Sequence, residues 1–177
     1  MPEVEVSHVL FVCTGNLCRS PLAERLARHA VADHDGLRFT SAGTHAVNGA
    51  ELHPQTRRTL LERGADADGF ASRFLTPSLL ANADLVVTMT RAQRDAATRL
   101  HPAGWRRTFV ITELDEVLAA SADPFDGRTP GDRTRSALDV PDPIGRSGAE
   151  FDRVAEQVAP LVGRLARWLL DQPRGAG

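Results

Sequence analysis

Val9-Leu10-Phe11-Val12-Cys13-Thr14-Gly15-Asn16-Leu17-Cys18-Arg19-Ser20-Pro21 passes from an apolar run, through a short polar loop, into an amphipathic segment. The apolar run predicts a buried strand. The segment from Pro21 predicts a helix, with Leu22, Leu26, Ala30 and Ala23, Ala27 along one side. Ser20 suits the N-cap and Pro21 the first helical position, where a missing N–H costs nothing. The N–H groups of that first turn and of the loop converge on one concavity, and the helix dipole favours negative charge there. Arg19 adds a planar fork able to grip two oxygens of a phosphate. Cys13 stands at the floor of the same field, which favours its thiolate. A thiolate beneath a bound phosphate is placed for in-line attack, giving phosphoryl transfer to sulfur and then hydrolysis.

Other readings of the two cysteines are weaker. Free Cys often packs as a small hydrophobe, but the adjoining Gly15, Asn16, Arg19 and Ser20 argue against that for Cys13. The Cys spacing is not a zinc pair and no second pair exists, so no metal site is expected. Nor does a structural disulfide fit a chain without a secretory leader. A reversible Cys13–Cys18 bridge protecting the nucleophile from over-oxidation is physically reasonable.

Attack on a phosphate ester also needs a proton donor for the departing oxygen. Val140-Pro141-Asp142-Pro143-Ile144-Gly145 offers Asp142 just before the last helical segment, with a proline on each side restricting the backbone. Its competing role is that of a turn Asp. Asp123-Pro124-Phe125 has similar composition but is not followed directly by the last helix, so it ranks below.

Along the rest of the chain, strand and helix patterns alternate. Strands are expected at 8–12, 37–41, 84–89 and 108–112; helices at 21–33, 54–63, 91–100, 113–120 and 149–170, the last bent near Pro160. This predicts an α/β fold in three layers, a four-stranded parallel sheet with helices on both faces. Ligands in such sheets bind beyond the strand carboxyl ends at a switch point, where Cys13 would lie. The 177 residues suffice for a single domain, with 121–139 a long, mobile surface loop and 172–177 a flexible tail. A net charge of −2 gives nucleic-acid binding no support. No segment is long and apolar enough to span a membrane. The expectation is a cytoplasmic monomer. Lys is absent, every basic side chain other than His being Arg.

Cys13, five residues, then Arg19-Ser20 near the amino terminus resembles the signature of low-molecular-weight protein tyrosine phosphatases of bacterial type, and Gly15-Asn16-Leu17-Cys18 narrows the match to that family. Ser41-Ala42-Gly43-Thr44 and Ala83-Asp84-Leu85-Val86-Val87-Thr88-Met89 are similar to its second and third strand ends. The resemblance implies the flavodoxin-like phosphatase fold. It also implies Cys13 as nucleophile, Arg19 as phosphate clamp and Asp142 as general acid. The amides of Thr14, Gly15, Asn16, Leu17, Cys18 and Arg19 would bind phosphate. Asn16 and Ser20 would brace the loop, the Ser20 hydroxyl also stabilising the thiolate. No metal or other cofactor is implied, because Arg19 and the loop amides supply the positive field, and phosphate and vanadate should inhibit. One departure stands out. Ser72-Arg73-Phe74-Leu75 resembles a segment in which an Arg follows a loop-supporting His, and Phe70 occupies the place where relatives commonly carry that His, so that brace is missing or replaced.

Substrate choice is less legible. A deep crevice with apolar walls admits the ring of phosphotyrosine while phosphoserine falls short of the floor. Leu17 supplies one wall, Ile144 stands where relatives often place an aromatic, and His45 either lends a ring to the entrance or faces solvent. The other histidines, His8, His29, His34, His53 and His101, read as surface or capping residues. Protein arginine phosphatase, a branch with the same fold, is the alternative. Leu17 argues against it, where that branch has Thr, while Ile144-Gly145-Arg146-Ser147 is similar to its acid loop. An arsenate reductase would need further cysteines, and a non-catalytic phosphoprotein-binding module would not need Asp142.

Overall fold

The computed structural model describes residues 5–32, 34–121, 123–129 and 138–172. Its strands β1 (His8–Cys13), β2 (Arg38–Gly43), β3 (Leu85–Thr88) and β4 (Thr108–Val110) form one parallel sheet in the order β2-β1-β3-β4. The α-helices are α1 (Arg19–Ala30), α2 (Pro54–Glu62), α3 (Pro77–Ala81), α4 (Arg91–Leu100), α5 (Ile111–Ala120) and α6 (Gly148–Asp171). A 3-10 helix, Pro102–Arg107, leads into β4.

The alternation of side chains along the strands divides the core in two. Val9, Phe11, Leu85 and Val87 pack towards α1, α5 and α6, with Leu22, Leu26, Leu114, Val154, Val158 and Leu165 against them. Leu10, Val12, Ala42 and Val86 face the other way, onto Leu80 of α3 and Ala97 of α4. The expected three layers are therefore present. Every residue of β1 is buried because β1 is central and covered on both faces, as parallel strands require. Fully burying a Leu, Val or Phe side chain stabilises by roughly 1.5–3 kcal/mol, so this strand is a main anchor of the fold.

Several boundaries differ from the sequence reading. The first helix starts at Arg19, and Leu22 N–H donates to the Cys18 carbonyl at 3.0 Å, so Cys18 and not Ser20 is the N-cap. Pro21 still lies in the first turn, where it removes no intrahelical bond. Helix α5 begins at Ile111; the β-branched Ile111-Thr112 looked like the end of a strand but forms its first turn, with Glu113 Oε2 accepting from Val110 N–H at 3.1 Å. Helix α6 runs through Pro160, which lies on its exposed side, where water can reach the freed carbonyl.

His8, expected at the surface, is buried between strands, its Nε2 2.8 Å from Thr40 Oγ1. Part of the expected mobile loop is pinned. Arg128 is buried, donates to the carbonyls of Trp105, Arg106 and Thr108, pairs with Glu113 at 2.7 Å and lies over the Phe109 ring. Residues 122 and 130–137 of that loop and 173–177 of the tail lie outside the described residues. No described helix is long and apolar enough to cross a membrane.

Candidate active site

The strand order reverses between β1 and β3, and the loop 14–18 leaves the sheet there, at the carboxyl end of β1. Its carbonyls are engaged from outside. Cys13 O accepts from Thr44 N–H at 3.0 Å, Thr14 O from His45 N–H at 2.9 Å, and Leu17 O from His53 N–H at 3.1 Å. In a trans peptide the N–H opposes the C=O, so these contacts turn the amides of Gly15 and Cys18 to the opposite, inner side. Inward amides at the start of α1 make an anion cradle.

At its floor lies Cys13, 2 % exposed. Its Sγ is 2.9 Å from Ser20 Oγ and receives the Asn16 N–H at 3.3 Å. Both contacts hold a hydrogen-bonding group against the sulfur. The Ser20 hydroxyl proton has a second acceptor, Ala42 O, but at 3.4 Å the sulfur is the nearer. Cys18 is different. Burial pushes its thiol up to about 12 despite a hydrogen bond with Thr56, so it stays protonated. Both cysteines are free thiols.

Asn16 shapes the loop. It adopts the left-handed conformation, φ 56°, which its short amide side chain tolerates better than most. That side chain is fully buried and fully used: Nδ2 donates to Ser20 Oγ and Ser41 Oγ, each at 2.9 Å, and Oδ1 accepts from Arg73 N–H at 2.8 Å. Ser41 in turn donates to Glu24 at 2.5 Å, and Arg28 holds Glu24 at 2.8 Å. The bracing that Phe70 does not give thus comes from Ser41, Glu24 and the Arg73 backbone. Phe70 itself packs against the core with Arg25 over its ring, 5.8 Å from the centroid.

Arg19 is 4 % exposed, and its Nη1 donates to Val140 O at 2.9 Å. Nη2 lies 3.4 Å from Asp142 Oδ2, so the two residues separated by most of the chain meet. The buried Nε of Arg19 has no acceptor among the described residues. A buried guanidinium N–H left over in an amide-lined cradle suits an oxyanion. Asp142 is exposed, its Oδ1 accepting from Ile144 N–H at 3.1 Å. Asp123 closes its own turn, accepting from Phe125 N–H at 2.8 Å.

The sequence reading missed the residues that support this constellation from a distance. Ser41, Glu24 and the Arg73 amide are among them. Gln93 is another: its Nε2 donates to Thr14 Oγ1 at 3.1 Å while its Oε1 accepts from Met89 and Thr90 N–H. Gln93 had a legible signal, standing three residues after the cap Thr90, but its tie to Thr14 depends on the sheet order. Of the expected wall residues, Leu17 is half-buried, His45 is exposed beside Thr44 Oγ1, and Ile144 is 43 % exposed.

Comparison with known proteins bears on the family and the fold. The model of the family described as low molecular weight phosphotyrosine protein phosphatase matches residues 8–173. A low molecular weight protein-tyrosine-phosphatase of Streptomyces coelicolor is 37% identical over 168 residues, 89% of this chain and 91% of the relative. The solved YwlE arginine phosphatase from Geobacillus stearothermophilus superposes with a TM-score of 0.75 at 27% identity, covering 92% of each chain. A second solved YwlE arginine phosphatase, a Cys-to-Ser mutant whose active-site serine is phosphorylated, gives 0.76 at 28% identity, covering 93% of this chain and 97% of that one. By sequence over almost its whole length, and by fold, the chain belongs to the low molecular weight phosphotyrosine protein phosphatase family.

Proposed function

We propose that the chain, acting as a single domain, hydrolyses phosphotyrosine monoesters on proteins through a phosphocysteine formed on Cys13. The observation that carries this reading is the pairing of Cys13 Sγ with the Ser20 hydroxyl and Asn16 N–H in the loop before Arg19, whose guanidinium meets Asp142. In the first step the Cys13 thiolate attacks phosphorus in line. The S–P bond forms, the P–O bond to the ester oxygen breaks, and that oxygen takes a proton from Asp142. In the second step Asp142, now a carboxylate, takes a proton from water as that water attacks phosphorus. The S–P bond breaks and inorganic phosphate leaves. Arg19 and the loop amides of Thr14 to Arg19 meet the charge on the equatorial oxygens in both steps, which is electrostatic stabilisation by groups already in place. The phosphorylated serine of the YwlE mutant supports phosphoryl transfer to the residue at the loop's floor.

Leu17, His45 and Ile144 are proposed as the walls that receive the substrate's ring. A second reading, phosphoarginine as substrate, is favoured by the likeness to arginine phosphatases and by the aliphatic Ile144 on the acid loop. Leu17 favours phosphotyrosine. The protein is proposed to work as a cytoplasmic monomer.

Mass spectrometry of rapidly quenched turnovers should find one added phosphoryl group on Cys13, and Cys13→Ser should abolish turnover while still binding vanadate. Near-wild-type activity in that variant would reject the nucleophile. Matched phosphotyrosine and phosphoarginine peptides decide between the branches by kcat/KM.

A further inference from the structure

This inference rests on Asp142 acting as the general acid. Asp142 itself is loosely tied, to Ile144 N–H and to Arg19, yet the chain just before it is gripped hard. Asp139 accepts from three N–H donors of Arg91, the backbone at 2.9 Å and Nε and Nη2 at 3.3 Å each. Arg91 is the first residue of α4, so the carboxylate is also seated at that helix's positive end. Next to it, Val140 is fully buried. Its N–H donates to Met89 O at 2.9 Å, and its C=O accepts from the clamp Arg19. Leu138 O accepts from Thr112 Oγ1 at 2.8 Å.

The same β3–α4 corner also holds the phosphate loop, through Gln93 and Thr14. One turn, Met89 to Gln93, therefore fastens the nucleophile's loop on one side and the stretch leading to the acid on the other. Between Asp139 and Asp142 the chain has little slack, because Pro141 and Pro143 fix their own φ and restrict the residues before them. The place of Asp142 is therefore set by the anchors just before it, Asp139 and Val140 together.

We propose that Asp139, clasped by Arg91, is a positioning residue that sets the reach of Asp142 to the leaving-group oxygen. It touches no reacting atom. Its loss should resemble a partial loss of the acid and leave the nucleophile untouched.

The test compares kcat/KM for phenyl phosphate, whose leaving group needs a proton, with that for 2,4-dinitrophenyl phosphate, whose leaving group does not. General acid help is worth ~10²–10⁴-fold, so Asp139→Ala should lower phenyl phosphate turnover by about tenfold, and change the dinitrophenyl ester and vanadate affinity by no more than about twofold. Asp139→Asn, which keeps an acceptor for the Arg91 backbone N–H, should recover part of the loss. In an Asp142→Ala background, Asp139→Ala should add no further selective loss, since the group it positions is gone. Should Asp139→Ala fold poorly by circular dichroism, Arg91→Met breaks the side-chain half of the clasp and carries the same comparison. Equal losses on both esters, or a full additional selective loss without Asp142, overturn the proposal. The underlying reading fails separately. If Asp142→Ala shows no preference between the esters, the acid assignment is wrong; if it does but Asp139→Ala and Arg91→Met do not, only the positioning role falls.

Discussion

Gly43 ends β2 against the underside of the phosphate loop, and it has no room to be anything larger. A Cβ there would lie 2.5 Å from Thr14 O, 2.8 Å from Asn16 N and 2.9 Å from Ala46 Cβ. The first two are backbone atoms of the loop itself, so relief requires moving the anion cradle. Misplacing catalytic groups by about 1 Å can cost ~10²-fold, so Gly43→Ala should lower kcat/KM by about that much and weaken vanadate binding in parallel. Steady-state kinetics with a vanadate titration checks this, and unchanged vanadate affinity would mean the loop had not moved. The residue scale is also where the sequence was most and least informative. Cys13 to Ser20 are contiguous, so their shared chemistry was visible in one octet. Ser41, Glu24 and Gln93 reach the same loop, and Val140 reaches Arg19, only through β1–β2 and β1–β3 pairing, and no local spacing announces them. The effect of Phe70 could be posed from sequence but not answered, because the replacement brace is partly a backbone N–H, that of Arg73.

At the scale of elements, the join between β1 and β2 carries a buried titratable group. His8 sits on β1 with Nε2 at Thr40 Oγ1 of β2 and Nδ1 at Asn82 O, both at 2.8 Å. Burial lowers its pKa, with the charge of Arg38 acting the same way, against the opposing hydrogen bond to Asn82 O. A histidine held neutral in the fold favours the unfolded state once protonation begins there. The contribution is therefore intact above the unfolded value of about 6.5 and is lost as pH falls through the lower folded value. Urea midpoints should drop between pH 7 and pH 5, and His8→Gln should flatten that slope; an unchanged slope would place the acid sensitivity elsewhere. Elements with local stop signals were read well. Helix α4 has its expected bounds because Thr90 and Gln93 cap one end and His101-Pro102 closes the other. Helix α3 was missed although Thr76-Pro77 announces it, the segment being too short for a hydrophobic period. The strand-like start of α5 was misread because β-branched residues are common in strands, and only Glu113 folding back to Val110 marks the helix.

For the molecule as a whole, the fold delivers one distant stretch of chain, Val140 to Asp142, to the guanidinium of Arg19, and leaves its Nε without an acceptor among the described residues. A buried unmatched donor costs ~1–3 kcal/mol. Phosphate can relieve that cost in the native state alone. A ligand at a hundred times its Kd adds ~2.7 kcal/mol, and for a chain of this length each kcal/mol is worth ~2–4 °C. Calorimetry at matched ionic strength should therefore show Tm rising by about 5–10 °C on adding phosphate, but not chloride, and Arg19→Ala should erase the difference. An equal rise in the variant would trace it to general salt effects. One nitrogen thus links sturdiness to recognition: a substitution that gave Nε an internal acceptor would harden the protein against heat and, by the same bond, make it indifferent to its own product.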